Sequence, residues 1–190
     1  MPGIKYSAFV DPSGGSADSF TLAIAHKEGD AAILDAVRER KPPFSPEEVV
    51  SEYAALLKSY RITKIIGDRY AGEWPRERFK VHGITYDPAA KAKSDLYRDM
   101  LPILNSRKAD LLDHPKLLTQ LVGLERRTAR GGKDSIDHSP GAHDDVCNAV
   151  AGVLTTLTSK KSSYDSSMNW VGDPNDTWRD LLLLRHIGGF

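Results

Sequence analysis

Aspartates that end or open apolar segments are the residues of this chain best suited to chemistry. Asp11 ends a short apolar run, Asp68 ends another, and the pair Asp144–Asp145 opens the last strong apolar segment. Carboxylates held close together repel one another, and proteins tolerate them chiefly where a divalent cation neutralises them. Oxygen ligands alone suit Mg²⁺ or Mn²⁺ rather than Zn²⁺. The pattern indicates a divalent-metal site, provided that the fold brings these distant positions together.

Each of these aspartates, taken singly, also has an ordinary structural explanation. Turns favour Asp directly after a strand. Asp144 and Asp145 would interact favourably with the positive N-terminal end of a helix. Their joint occurrence, in this order of elements, favours the metal site over three unrelated turn and cap residues.

The elements that must position these side chains are predicted from the spacing of apolar residues. Segments 6–10, 20–25 and 31–37 are separated by short turns and predict an antiparallel meander of three strands. A helix follows, with Ser45 as its cap, Pro46 at its first position and Glu48 reaching back to the cap amide. Segment 64–68 arrives after this helix and is expected to be a central strand parallel to an earlier strand. In a sheet where the strands of Asp11 and Asp68 are parallel neighbours, the two carboxylates would emerge at one end, about 5 Å apart.

The rest of the chain continues with α/β elements. The predicted elements are a helix at 72–80, a strand at 84–86, a helix at 94–106, a strand at 109–112, a helix over 117–124 capped by Asp113, and a helix at 144–157. Residues 128–143 are polar and contain glycine. This order predicts a mixed, ribonuclease H-like sheet flanked by helices over residues 1–158, followed by a polar tail at 159–190.

Composition excludes several classes of protein. The 26 Lys and Arg residues balance the 26 Asp and Glu residues, so a polyanion would have to bind a local basic patch. A single cysteine, Cys147, excludes an internal disulfide framework and a multi-cysteine zinc site. The sequence contains no P-loop motif and no apolar run long enough to span a membrane. Without a signal-peptide pattern at its N-terminus, the expected location is the cytoplasm.

Three segments resemble the acidic motifs of one known family. The segments are YSAFVDPSGG (6–15), IIGDRY (65–70) and GAHDD (141–145). Their order and spacing resemble those of the C-terminal nuclease domain of phage terminase large subunits, over roughly residues 4–157. This resemblance implies a ribonuclease H-like endonuclease that cuts concatemeric double-stranded DNA during phage packaging in the host cytoplasm. The ATPase motor domain of full-length terminases is absent from this sequence.

The resemblance also implies a set of ligands and partners. Two Mg²⁺ or Mn²⁺ ions would be held by Asp11, Asp68 and Asp145, with support from Asp144. Besides DNA, an ATPase motor domain, a portal protein or a small terminase subunit would be partners.

Basic residues and one histidine are further candidates for the DNA-cutting site. Arg126, Arg127, Arg130 and Lys133 form a cationic stretch before the acidic helix that could hold phosphates, or could be a solvated helix end. Arg69, next to Asp68, could contact phosphate or offset the carboxylates. His143 could donate to the scissile phosphate or orient water.

Two rival functions remain open from the sequence. The turn after Asp11 also resembles the phosphate loop of the actin and sugar-kinase fold, although that fold needs a second domain for which this length leaves no room. The other rival is a non-catalytic docking or DNA-binding module of a packaging machine. Burying clustered carboxylates is costly and a docking surface does not require them, so the three acidic motifs favour the nuclease over the docking module.

Overall fold

Short apolar runs separated by turn residues form the strands of this protein, and apolar residues at helical spacing form its helices. The computed structural model describes residues 3–128 and 134–158. The strands are β1 (Tyr6–Asp11), β2 (Phe20–Glu28), β3 (Ala31–Arg40), β4 (Lys64–Gly67), β5 (Thr85–Pro88), β6 (Ala109–Asp110), β7 (Leu124–Thr128) and β8 (Asp134–His138). The helices are α1 (Pro46–Ser59), α2 (Glu73–Val81), α3 (Lys93–Asn105), α4 (Pro115–Val122) and α5 (Asp145–Thr158).

Six strands form one mixed sheet in the order β5-β4-β1-β2-β3-β6. The pairs β1–β2 and β2–β3 are antiparallel, which confirms the predicted meander. Strand β4 pairs parallel with β1, and β5 pairs parallel with β4. Strand β6 pairs parallel with β3 at the opposite edge. The strand that follows the first helix therefore lies beside β1, as the sequence predicts.

Helices cover both faces of the sheet. Phe9 of β1 packs in a core with buried residues of α3, α4 and α5. Its neighbours Ala8 and Val10 point the other way and pack in a second core with α1 and α2. Every residue of α5 from Asp145 to Thr155 is buried. The start of α5 is therefore held firmly against the sheet.

Two glycines permit close approaches that position α5 and β4. A Cβ at Gly152 would lie 2.3 Å from the ring of Phe9, so only glycine lets α5 come this close to β1. A Cβ at Gly67 would lie 2.2 Å from the hydroxyl oxygen of Tyr86. That hydroxyl instead donates a hydrogen bond to the carbonyl oxygen of Asp68, 2.8 Å away. Each glycine thus supports an element that carries one of the aspartates.

The structure differs from the sequence predictions at several helix ends. Ser45 occupies the N-cap position of α1 with Pro46 following it, but the Ser45 side chain makes no capping hydrogen bond. His114, rather than Asp113, is the N-cap residue of α4. Its Nδ1 accepts a hydrogen bond from the amide of Leu117 at 3.2 Å. An imidazole nitrogen is an acceptor that a search for Ser, Thr, Asp and Asn caps overlooks.

The polar stretch between α4 and α5 contains a β-hairpin that the sequence does not predict. Leu124, which helical spacing assigns to the preceding helix, begins β7, and β7 pairs antiparallel with β8 as a separate sheet. Each strand buries one residue, Leu124 or Ile136, which is too little for a visible alternating pattern. The Ile136 amide donates to Ser94 Oγ at 2.8 Å and attaches the hairpin to α3. Strand β6 is likewise shorter than predicted, with two residues.

Some predictions fall outside the part of the chain that the structure describes. They concern residues 129–133, between β7 and β8, and the polar tail at 159–190. Among the helices within residues 3–128 and 134–158, none has the length and apolar character needed to cross a membrane.

Candidate metal centre

Asp11 and Asp68 lie side by side at the carboxyl end of two parallel strands. Val10 is the register partner of Gly67, and the amide of Asp68 donates to the carbonyl oxygen of Val10 at 3.0 Å. Neighbouring strands are spaced by roughly 4.8 Å. The two aspartates that follow this pair therefore leave the sheet together, as the sequence predicts.

Local hydrogen bonds fix the loop that carries Asp68. Its Oδ1 accepts from the amide of Tyr70 at 2.7 Å, an arrangement typical of an Asx turn. The hydrogen bond from Tyr86 to the Asp68 carbonyl holds the backbone from the other side. The Asp68 carboxylate is therefore anchored through one oxygen at the carboxyl end of β4.

The first turn of α5 brings the remaining carboxylate to the same place. Asp145 Oδ2 accepts from the amide of Ser19 at 3.3 Å, and the Asp145 carbonyl accepts from Thr21 Oγ1 at 2.8 Å. One turn further along α5, Asn148 Nδ2 donates to Asp11 Oδ2 at 2.8 Å. These contacts tie α5 to β1 and to the start of β2.

A cleft of about 660 Å³ lies where these elements meet. Its lining includes Asp11, Ser13, Asp18, Asp68, Tyr70, Lys93, His138, His143, Asp144, Asp145 and Asn148. Burial raises the pKa of Asp11 to about 8; the Asn148 hydrogen bond opposes this shift, and the negative charges of Asp68 and Asp145 add to it. Burial also raises the pKa of Asp145, although the hydrogen bond from the Ser19 amide acts to lower it. The cleft therefore concentrates negative charge that water does not fully solvate.

Asp144 and Asp145 face different partners although they are adjacent. Asp144 Oδ2 lies 3.0 Å from Lys93 Nζ and accepts from the Tyr97 hydroxyl at 2.8 Å. Lys93 Nζ also lies 2.9 Å from Asp137 Oδ1. Burial lowers the pKa of Lys93, but the two carboxylates outweigh burial and raise it overall. Asp144 is thus paired with a cation of the protein itself, whereas Asp145 accepts a hydrogen bond from a backbone amide.

Among residues 3–128 and 134–158, two groups of side chains each have ligand atoms within 4.8 Å of one another, a spacing that suits a cation, and neither group includes Asp11 or Asp68. One consists of Asp18, His143 and Asp145, and the other of Asp137, His138 and Asp144. His143 is exposed, with Nδ1 3.6 Å from Asp18 Oδ1. The sequence reasoning missed Asp18, Asp137 and His138. Asp18 lies in a Ser- and Gly-rich turn, and the other two lie in the unpredicted hairpin, so no periodic pattern marks them.

Of the candidate DNA-binding residues, Arg126 and Arg127 lie on β7 and Arg69 lies directly after Asp68. Arg126 pairs with Asp134, and Arg127 lies 3.1 Å from Glu125 Oε2, so both carry carboxylate partners within the hairpin. Arg69 donates to the carbonyl of Ala90 at 3.3 Å and stacks on the Tyr70 ring at 5.6 Å. Arg130 and Lys133 lie outside the described residues.

The donor set fits hard divalent cations. The carboxylates of Asp11, Asp68 and Asp145 line one cleft and supply oxygen ligands, which Mg²⁺ and Mn²⁺ prefer. The raised pKa keeps a proton on Asp11 near neutral pH in the metal-free protein, and a divalent cation in the cleft would favour its ionised form. His143 adds one imidazole nitrogen at the rim, which Mn²⁺ accepts more readily than Mg²⁺ does.

Comparisons with known proteins identify the class of fold. No protein-family model matches the sequence, and no curated protein is significantly similar to it. The large terminase nuclease from thermophilic phage G20c matches with a TM-score of 0.72 at 16% identity, over 84% of this chain and 85% of that chain. The large terminase nuclease domain of Thermus phage P74-26 matches with a TM-score of 0.71 at 16% identity, over 87% of this chain and 85% of that chain. The HK97 bacteriophage large terminase matches with a TM-score of 0.65 at 15% identity, over 82% of this chain but only 40% of the HK97 chain.

The protein therefore has the ribonuclease H-like fold of phage large terminase nuclease domains, as the sequence predicts. Structures of such domains include the G20c nuclease with bound magnesium and with bound cobalt. Another is a variant nuclease domain of the large terminase subunit of bacterial virus Sf6 with manganese.

Proposed function

We propose that this protein is a divalent-metal-dependent endonuclease that cuts double-stranded DNA. The observation that carries the proposal is the convergence of Asp11, Asp68 and Asp145, from three separate elements, on one cleft. The fold, which it shares with large terminase nuclease domains, supports the same conclusion. Magnesium, cobalt or manganese in the related structures supports the use of a divalent cation.

The residues of the cleft take different parts in this proposal. Asp11, whose pKa is raised by burial and by the neighbouring carboxylates, would hold the cations together with Asp68 and Asp145. When bound, the cations would supply activation of the attacking water and stabilisation of the leaving 3′ oxygen. Asp144 supports the site by fixing the start of α5 through Lys93, rather than as a ligand. His143 lies at the rim, where its imidazole can orient water or donate a proton to a phosphate oxygen.

DNA would bind over the mouth of the cleft through its phosphates. The chain has no net charge, so local cations must supply the attraction. Arg69 lies directly beside Asp68, and its contacts within the described residues are a backbone carbonyl and an aromatic ring rather than a carboxylate. We assign Arg69 to phosphate contact, and Arg126 and Arg127 to the edge of the same surface; Arg130 and Lys133, outside the described residues, are assigned to DNA from the sequence alone. These contacts carry no base specificity.

The biological setting that we propose is phage DNA packaging in the host cytoplasm. The HK97 large terminase matches over 40% of its own length, which corresponds to one part of a larger protein. An ATPase motor domain, a portal protein or a small terminase subunit would then direct where this nuclease cuts.

Nicking of a supercoiled plasmid tests the proposal. The protein should nick the plasmid with Mn²⁺ or Mg²⁺ and remain inactive in EDTA. Asp68→Ala should abolish nicking while DNA affinity stays similar or rises, because negative charge is removed from a phosphate-facing surface. Asp87→Ala is the matched control: Asp87 lies on the next strand, and its exposed carboxylate pairs with Lys64. An Asp68→Ala protein that nicks at the wild-type rate, beside an inactive mock purification, would overturn the assignment of Asp68 to the cation site. A wild-type protein that nicks with neither ion would favour a docking module.

A further inference from the structure

Asn148 is the one amide of α5 that contacts a candidate metal ligand within the described residues. It is buried, with 1% of its surface exposed, in a helix whose residues from Asp145 to Thr155 are all buried. Its Nδ2 donates to Asp11 Oδ2 at 2.8 Å across a sequence separation of 137 residues. Burial of an amide in an apolar helix is unfavourable unless its polar atoms are used.

We propose that Asn148 is a positioning residue for the cation site, holding Asp11 so that its second carboxylate oxygen faces the cleft. The inference rests on the proposed function, since it assigns Asp11 to a cation. With Oδ2 engaged by the amide, Oδ1 is the oxygen left for a cation. Only an amide orientation with Nδ2 toward Asp11 is compatible with an ionised carboxylate, because the alternative places two oxygens face to face.

The other polar atom of Asn148 supports a role at the cleft. Asn148 Oδ1 is buried, and none of the described residues donates a hydrogen bond to it. A buried carbonyl oxygen without a donor costs roughly 1 to 3 kcal/mol. Asn148 lines the cleft, so an occupant that carries water ligands can supply the missing donor. The residue therefore fits a cleft that is filled in the working protein.

The chain contains a second buried amide that serves as a matched control. Gln120 on α4 is 6% exposed, and its Oε1 accepts from the amide of Cys147 on α5 at 2.9 Å. Its Nε2 is buried and also lacks a partner among the described residues. Gln120 thus supports α5 much as Asn148 does, but does not contact the carboxylates. A purely structural role predicts similar behaviour for both amides.

Mn²⁺ titration of the full chain, followed by isothermal calorimetry and by melting temperature, tests the inference. Asn148→Ala should lower the metal-free melting temperature about as much as Gln120→Ala does. It should also raise the Mn²⁺ dissociation constant by roughly 10- to 100-fold, the usual effect of losing a partner that orients a ligand. Gln120→Ala should leave that constant within about twofold of wild type.

A second variant separates affinity from folding. Asn148→Leu has a similar volume and no polar atoms, so it should keep the fold and the metal-free melting temperature better than Asn148→Ala does. It should still lose Mn²⁺ affinity. If wild type binds Mn²⁺ and both Asn148 variants match its dissociation constant within twofold, this inference is overturned while the proposed function stands. If wild type itself binds no Mn²⁺ at millimolar concentration, the proposed function fails and the inference fails with it.

Discussion

Asp11→Asn should stabilise the metal-free protein, and the gain should grow with pH. In the folded protein, burial raises the pKa of Asp11 from 3.8 to about 8. Between these values the folded state keeps a proton on Asp11 that the unfolded chain has released. Wild-type stability therefore falls as pH rises through this window and levels off above it. Asparagine binds no proton in this range, so the variant lacks this slope.

The size of the stability gain in Asp11→Asn follows from the shift in the pKa of Asp11. One pKa unit corresponds to about 1.4 kcal/mol, so a shift of about 4 units sets an upper limit of about 6 kcal/mol. Asp11 is half-buried, and water entering the cleft screens its charge. We therefore expect about 2 to 3 kcal/mol at pH 9 and almost nothing at pH 4. Asparagine keeps the contact with Asn148, because its amide oxygen accepts from the same Nδ2.

Urea unfolding in EDTA at pH 5, 7 and 9 measures this difference directly. Asp87→Asn is the control, since it removes an exposed carboxylate that pairs with Lys64 on the neighbouring strand. Saturating Mn²⁺ should reverse the order, because the wild type gains stability from a ligand bound only by the folded state. An Asp11→Asn protein whose advantage is constant with pH, or that is less stable than wild type at pH 9, would refute the reasoning. Asp11 would then be an ordinary turn residue.

Three further perturbations test other parts of the structure. Lys93→Ala should lower the free energy of unfolding in urea by about 2 to 4 kcal/mol, because it leaves the buried Asp144 carboxylate without its cation. Lys91→Ala, which breaks the exposed pair with Asp99, should lower it by under about 1 kcal/mol, and equal losses would contradict this reasoning. Gly152→Ala should lower the free energy of unfolding by about 1 to 3 kcal/mol in thermal unfolding, and adding Phe9→Leu to that variant should restore part of the loss. If the effects of the two substitutions simply add, the contact between Gly152 and Phe9 does not limit the packing. Arg69→Ala should weaken DNA binding in fluorescence anisotropy and reduce the log–log salt slope by about 1; an unchanged slope would remove Arg69 from the phosphate surface.

The sheet was predictable because its strands obey simple local rules. The meander follows from apolar runs divided by short turns, and the parallel placement of β4 follows from the helix before it. The β7–β8 hairpin was not predictable, since its strands are mostly exposed and carry charged residues that pair across the two strands, as Arg126 and Asp134 do. Its stability depends on attachment to α3, which no local pattern reveals.

The residues of the candidate site were predictable only where an aspartate stands at the end of a strand or at the start of a helix. Asp11, Asp68 and Asp145 stand at such boundaries, and the structure places all three on the cleft. Lys93 and Asn148 do not stand out, because a lysine at the start of a helix and an asparagine within one have ordinary explanations. Their partners lie 51 and 137 residues away in sequence, so only the tertiary structure reveals what they contact.

The deep burial of α5 has a consequence for synthesis of the protein on the ribosome. This helix covers one face of the sheet and carries Asp145 and Asn148, yet it is made after every strand it packs against. A nascent chain that stops before α5 exposes an apolar surface around Phe9 and lacks the third carboxylate. Domains fold as units once their final segment emerges, so the core and the cation site should be completed in one step. Under the proposed function, an unfinished chain should therefore be inactive on DNA.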